Sequence, residues 1–242
     1  MATRPAAAMA AIVSAVAPLL RAANFRKRRH CFNREAEDGI VHVLNFQMGA
    51  FQPPGTPDVP YWRRNLYGRF TINLGVYSPE MALDEQSSSW VNESDCQLRK
   101  RAGDFAPDRH DIWWSLDTPD HTASVIATLM GDDYLTWLDR YWTGRAIVDE
   151  YRAFGRSELG MGPNGPLSIA GLLLSLGDRR AAETVFRDYI GGELLPRHWD
   201  FVVDVAARLG FSDILAKERP RASLYDPIDD PMPDVPPKRV EL

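Results

Sequence analysis

The chain has 242 residues, 45% hydrophobic and 25% charged, which excludes fibrous and wholly disordered classes and leaves room for one large core or two small ones. Its net charge of -5 is unevenly placed: residues 1–117 carry 14 Lys/Arg against 13 Asp/Glu, and residues 118–242 carry 14 against 20. This balance argues against a dedicated nucleic-acid binder, whose footprint is a basic domain, and leaves nucleic acid only a local contact through the cations of residues 26–29 and the tryptophans.

Arg4 and the apolar residues 6–20 outline a secretory signal. Ser14, Pro18 and the basic run at 26–29 interrupt that outline, while Ile12, Val16, Leu19 and Leu20 fit the core face of an amphipathic helix. No apolar run reaches the roughly 20 residues of a membrane span, so a soluble, cytoplasmic chain is expected. Its two cysteines, Cys31 and Cys96, are too few for a disulfide scaffold and read as free thiols.

Residues 25–34 and 40–46, separated by Glu37-Asp38-Gly39, read as a hairpin with an exposed basic first strand. Four prolines within residues 52–60 end the sheet pattern. Residues 69–77 then alternate cleanly, with Phe70, Ile72, Leu74 and Val76 on one face. After a serine-rich loop, residues 96–101 form a strand placing Cys96, Leu98 and Lys100 on one side and Gln97, Arg99 and Arg101 on the other. A turn at 103–109 leads to a further strand starting at Ile112-Trp113-Trp114.

The period changes at Asp120: Ala123, Ile126, Ala127, Met130, Tyr134, Trp137, Leu138 and Tyr141 predict one helix over 119–142, with Pro119 in its first turn. Gly144 interrupts it before Ile147, Val148, Tyr151 and Phe154 resume the pattern. Helices follow at 167–176, 179–190 and 198–209, with Asp178 as an N-cap and Gly210 as a stop. The last residues, 217–242, hold six prolines and read as a disordered tail. The expected architecture is α+β: an antiparallel sheet of about five strands packed by an N-terminal and a long helix (residues 1–142), a helical extension (143–215), and the tail.

Six segments occurring in order carry a family resemblance: PLLRAANFRK at 18–27, DGI at 38–40, NFQ at 45–47, RFTINLGVYSP at 69–79, CQLRKR at 96–101 and DIWW at 111–114. Over about residues 12–142 the chain resembles the bacterial family called domain of unknown function 4304. The resemblance implies the fold outline and brings no established activity. Asn24 stands where that family usually has Gly, and both tolerate a left-handed backbone.

Chemical motifs are sparse. Residues 160–165 match GxGxxG, but Pro163 and Pro166 remove backbone donors from the loop that would cradle phosphate, and no strand precedes it. There is no CxxC or HExxH spacing, so neither a metal nor a cofactor is expected. Cys96 beside His42 or His110 would make a nucleophile pair; its inward pattern favours a structural thiol. Asp108 and Asp111 flank Arg109-His110 in a turn, a position suited to local capping or to acid–base work.

Arg99 and Arg101 share a face and repel unless acids such as Glu80 or Asp95, or an anionic ligand, lie opposite. Trp113 and Trp114 point opposite ways in an extended chain, so one fills the core and the other can anchor a partner. The candidate binding surface is therefore Arg99, Arg101, Asp111, Trp113 and Trp114. A non-enzymatic protein-interaction module, immunity- or adaptor-like, is the leading expectation. The alternative is an enzyme acting on an anionic substrate near His110 and Asp111.

Overall fold

A computed structural model describes residues 4–49, 57, 65–83, 89–192, 194 and 198–217. The proline-rich stretch at 52–60, apart from residue 57, and the tail from 218 lie outside the described residues.

Among the described residues, six strands form one antiparallel sheet: β1 (Arg26–Arg28), β2 (Cys31–Glu35), β3 (Val41–Met48), β4 (Arg69–Tyr77), β5 (Leu98–Arg101) and β6 (Trp114–Ser115). The order is β1-β2-β3-β4-β5, and β6 pairs with β4 ahead of β5 on the same edge. The expected two-stranded hairpin is thus a three-stranded meander, because residues 25–34 split at Arg29, whose φ of +57° turns the chain back after Arg28. Asn24, at the family's glycine position, takes a φ of +65°.

Period-two alternation gives the sheet two distinct faces. Phe32, Leu44, Phe46, Phe70, Ile72, Leu74, Val76 and Leu98 point to the inner face and are fully or nearly fully buried. Helix α1 (Arg4–Ala22) lays Met9, Ile12, Val13, Val16, Ala17 and Leu20 into that core and packs against α2 (Pro119–Leu129). Each of the larger side chains in this set gains about 1.5–3 kcal/mol from leaving water, and Ala17 less. At 19 residues α1 is long and apolar enough to cross a membrane by length and composition alone, which the sequence pattern did not register, and its buried stripe packs into the core.

The helix predicted over 119–142 is present up to Asp139, with helical backbone on both sides of one π-helical turn. A π-turn at Met130–Tyr134 joins α2 to α3 (Leu135–Asp139), and α4 (Gly144–Glu158) starts afresh with the Thr143 hydroxyl accepting the Ala146 N–H at 3.1 Å. The turn at Glu37–Gly39 helps fix that start, since Asp38 Oδ2 accepts the Gly144 N–H at 3.1 Å. Helices α5 (Gly165–Ser175), α6 (Arg179–Ile190), α7 (Trp199–Leu209) and α8 (Ser212–Lys217) follow. Asp178 caps α6 through the Ala181 N–H, and Gly210 ends α7 at a φ of +69°, as the sequence predicts. One cluster of buried apolar residues runs from Met9 to Ile214, so the sheet and the later helices share a core.

Cys96 departs from its expected side. The 3₁₀ turn at Glu93–Asp95 ends at Cys96, and only from Leu98 is the chain extended in the sheet. Cys96 therefore lies on the outer face with Val43, Tyr77 and Val91, where its Sγ would sit 2.5 Å from a Cβ on residue 75; glycine there is a packing requirement. Burial pushes the Cys96 thiol well above its ordinary pKa, which suits a structural role.

Candidate functional site

The part of the outer face that Cys96 and its neighbours leave uncovered is polar. Register places Asn73 of β4 directly opposite Arg101 of β5, with Gln47 of β3 on the same face diagonally from Asn73, since its own partner is Thr71. Arg101 uses its whole fork there. Its Nε–H donates to Asn73 Oδ1 at 3.0 Å, one terminal nitrogen donates to Gln47 Oε1 at 3.3 Å, and the other reaches both Asp111 oxygens at 3.3 and 3.4 Å. Asn73 closes the ring by donating to Gln47 at 2.7 Å.

The turn after β5 supplies the remaining members. Asp104 accepts the Arg101 backbone N–H at 2.6 Å and fixes the first bend; Gly103 allows the return, since a Cβ there would meet the His110 carbonyl oxygen at 2.0 Å. The returning strand presents Asp111 to Arg101 and places the Trp113 ring 5.3 Å from the guanidinium, while the Trp113 indole N–H donates to Asp111 at 2.6 Å. Trp114 faces the inner side and packs on Phe70 at 5.6 Å. The two tryptophans thus divide as expected, and Arg101, Asp111 and Trp113 form one half-exposed cluster.

Arg99 stands one residue pair away and is held by Glu93 at 2.5 Å. Its carboxylate partner is neither Glu80 nor Asp95 as the sequence suggested, because the 3₁₀ turn swings Glu93 over β5. Between Arg99 and Arg101 the chain opens a groove of about 590 Å³, bounded by residues 160–162 and by Arg109, His110 and Asp111. Gly160, at a φ of +71°, brings this boundary against β5: the Arg99 N–H donates to the Gly160 oxygen at 3.2 Å, and Met161 bridges to Leu98. The GxGxxG match is thus part of a backbone docking device.

Charge in the groove is largely balanced from within. Arg109 pairs with Glu158 at 3.2 Å, and that pairing holds the Glu158 carboxyl below its usual range. His110 and Asp108 are 2.5 Å apart at the rim, with more than half of each side chain exposed, and the contact lowers the Asp108 pKa. Lys100 points to the inner side and rests near the Phe105 and Trp137 rings, where burial draws its amine below the ordinary range. Among the described residues no group of three His, Cys, Asp or Glu side chains could hold a metal.

A second polar cluster, absent from the sequence reading, is buried on the inner side. Arg34 is sandwiched between Phe25 and Trp142, with ring centroids 4.7 and 4.9 Å from its guanidinium, and it donates to His42 Nδ1 at 2.8 Å and Asp139 at 2.5 Å. His42 Nε2 meets the Tyr141 carbonyl at 3.0 Å, so the neutral ring accepts from Arg34 and donates to Tyr141. This network ties the end of α3 to the sheet, with Arg34 and His42 buried and Asp139 open to solvent at its rim.

Comparison with known proteins gives one match. Neither a curated protein nor a solved structure matches the chain. The match of the family model spans residues 61–140 and so includes β4, β5 and the Arg101–Asp111–Trp113 cluster, whereas the resembling segments at 18–27, 38–40 and 45–47 fall before it. Over those residues the chain is similar to the family described as Domain of unknown function (DUF4304).

Proposed function

We propose that the chain is a non-enzymatic protein-interaction module, immunity- or adaptor-like, whose outer sheet face docks a protein partner around Arg101, Asp111 and Trp113. The observation that carries this reading is the prearranged Arg101 network: a guanidinium, a carboxylate and an indole locked together on a rigid sheet, half-exposed and flanked by hydrogen-bonding amides. Arginine and tryptophan dominate binding energy at protein interfaces, and fixing them before contact lowers the entropy lost on docking. Arg99, Arg101 and Arg109 each already face a carboxylate of this chain, so an anionic substrate entering the groove would have to displace an internal partner. That arrangement disfavours the enzyme alternative, whose remaining support is the exposed Asp108–His110 pair.

The test compares wild type with Arg101→Glu and Trp113→Ala in affinity capture from source-cell lysate, followed by titration of the purified captured protein. The expected result is one defined protein, bound directly and weakened about tenfold or more by each substitution, which corresponds to about 1.4 kcal/mol. Unchanged far-UV circular dichroism would show that the variants fold. Equal binding by both variants would overturn the surface assignment. Turnover of a small substrate, lost on Asp111→Asn or His110→Ala, would replace the reading with the enzyme one.

A further inference from the structure

At the opposite end of the sheet, the β1–β2 turn and α1 enclose a concavity of about 940 Å³ whose charge differs from that of the Arg101 groove. It is lined by Lys27, Arg28, Arg29 and His30 from the hairpin, Ser14 from α1, Asn45 from β3, and Asn92 and Trp90 from the segment crossing the outer face. Among the described residues no carboxylate lines it. Arg26, just outside, is answered by Glu35 at 3.4 Å, but among the described residues Lys27, Arg28 and Arg29 make no ion pair; Lys27 has only the Phe32 ring, at 6.0 Å. A chain of net charge -5 thus places three cations without an ion pair among the described residues at one hollow, with Asp95 held by Asn92 behind it.

The hairpin geometry holds them there. Lys27 pairs with Phe32 and Arg28 with Cys31, so β1 is anchored to the sheet up to the last residue before the turn. Arg29 takes the left-handed position, and the His30 carbonyl accepts the Phe46 N–H at 3.0 Å, which pins the turn onto β3. Cations on a fixed turn lose less freedom on meeting a ligand than cations on a loose loop.

We propose that this hollow binds a small phosphorylated ligand of the nucleoside phosphate class. Its volume suits one compact molecule. Lys27 leaves β1 on the inner side over Phe32 and Arg28 on the outer side beside Cys31, so the phosphate contacts fall to Arg28 and to Arg29 in the turn, whose guanidinium forks fit phosphate oxygens in pairs, with Lys27 adding charge from the far rim. Ser14, Asn45 and Asn92 supply hydroxyl and amide groups, and the half-buried Trp90 indole provides an aromatic wall for a base. The acidic remainder of the chain repels a long polyanion extending beyond the hollow, which favours a compact phosphate over a nucleic-acid strand. His30 offers an internal reporter, because burial and then the Lys27 charge lower its pKa, and a phosphate bound beside it would reverse that shift.

The experiment titrates the full chain by calorimetry with ATP, inorganic pyrophosphate and a single-stranded oligonucleotide, and follows the His30 ring by NMR, assigned with His30→Gln. ATP is expected to bind more tightly than pyrophosphate, to raise the His30 pKa, and to lose about tenfold or more in affinity on Arg28→Glu/Arg29→Glu with unchanged circular dichroism. Both arginines are exposed on a three-residue edge strand and its turn, so the pair can be changed without disturbing the core. Absence of ATP and pyrophosphate binding at low-millimolar concentration would overturn the proposal. So would an oligonucleotide that outcompetes ATP with a steep salt dependence, or ATP binding that the double variant leaves intact.

Discussion

His42 shows how one side chain can be read as a possible catalyst in the sequence and act as a structural pin in the fold. It is fully buried, and its pKa is lowered to about 4, first by burial and further by the neighbouring Arg34 charge, despite the Tyr141 carbonyl that favours the proton. The unfolded chain therefore takes up this proton before the folded chain does. Stability contributed by neutral His42 is fully present above its ordinary pKa of 6.5 and is lost as pH falls through about 4. The loss from this group is on the order of 3 kcal/mol across that window. Urea unfolding at a series of pH values should show a steeper decline for wild type than for His42→Gln between pH 6.5 and 4; equal slopes would remove His42 as the cause. Arg34 and His42 were invisible as a pair in the sequence because they sit on different strands, and only their register, Arg34 opposite His42, joins them.

At the level of elements, legibility follows how far local pattern controls the backbone. β4 was readable to the residue because its alternation is uninterrupted, and the caps at Asp178 and Gly210 were readable because they are local chemistry. The pattern was silent where the backbone leaves the regular period: the 3₁₀ turn before β5 moved Cys96 to the outer face, and the π-helical turn inside the long helix left no mark in its periodicity. Arg101, Asp111 and Trp113 were legible as candidates, while Gln47, Asn73 and Glu93 required strand order and turn geometry. The loop at 160–162 belongs to the same class, and its two glycines make a clean contrast. Gly160 is left-handed and its missing Cβ would lie 1.9 Å from the Arg99 oxygen, whereas Gly162 has open space around it. Gly160→Ala should cost roughly 2 kcal/mol or more and loosen β5 in hydrogen exchange, while Gly162→Ala should stay within about 0.5 kcal/mol. Similar costs for both, measured by chemical unfolding, would contradict the docking role assigned to Gly160.

Across the whole molecule, the sequence pattern suggested a sheet-bearing part ending near 142 and a helical extension after it, and the packing gives that division a physical test. Phe70 and Leu98 on the sheet belong to the same buried cluster as Leu167 of α5, Phe186 of α6 and Phe211 beyond α7. The Phe186 and Phe211 rings lie 5.1 Å apart at a tilt, far in sequence from the sheet, yet they belong to the one cluster that also holds Met161 and the buried residues of α5. Periodicity could identify each apolar face but not which face it meets, so a shared core was the least legible property of the fold. If the core acts as one cooperative unit, Phe186→Ala should cost roughly 3–5 kcal/mol and lower the protection of β4 amides as much as that of α6 amides. Native-state hydrogen exchange across a denaturant series measures both sets at once. Coincident loss would make α5–α8 part of the scaffold that holds the Arg101 face. Retained β4 protection with α6 already open would make the helices a separately folding unit, and the 160–162 segment would then be the junction through which its opening reaches the groove.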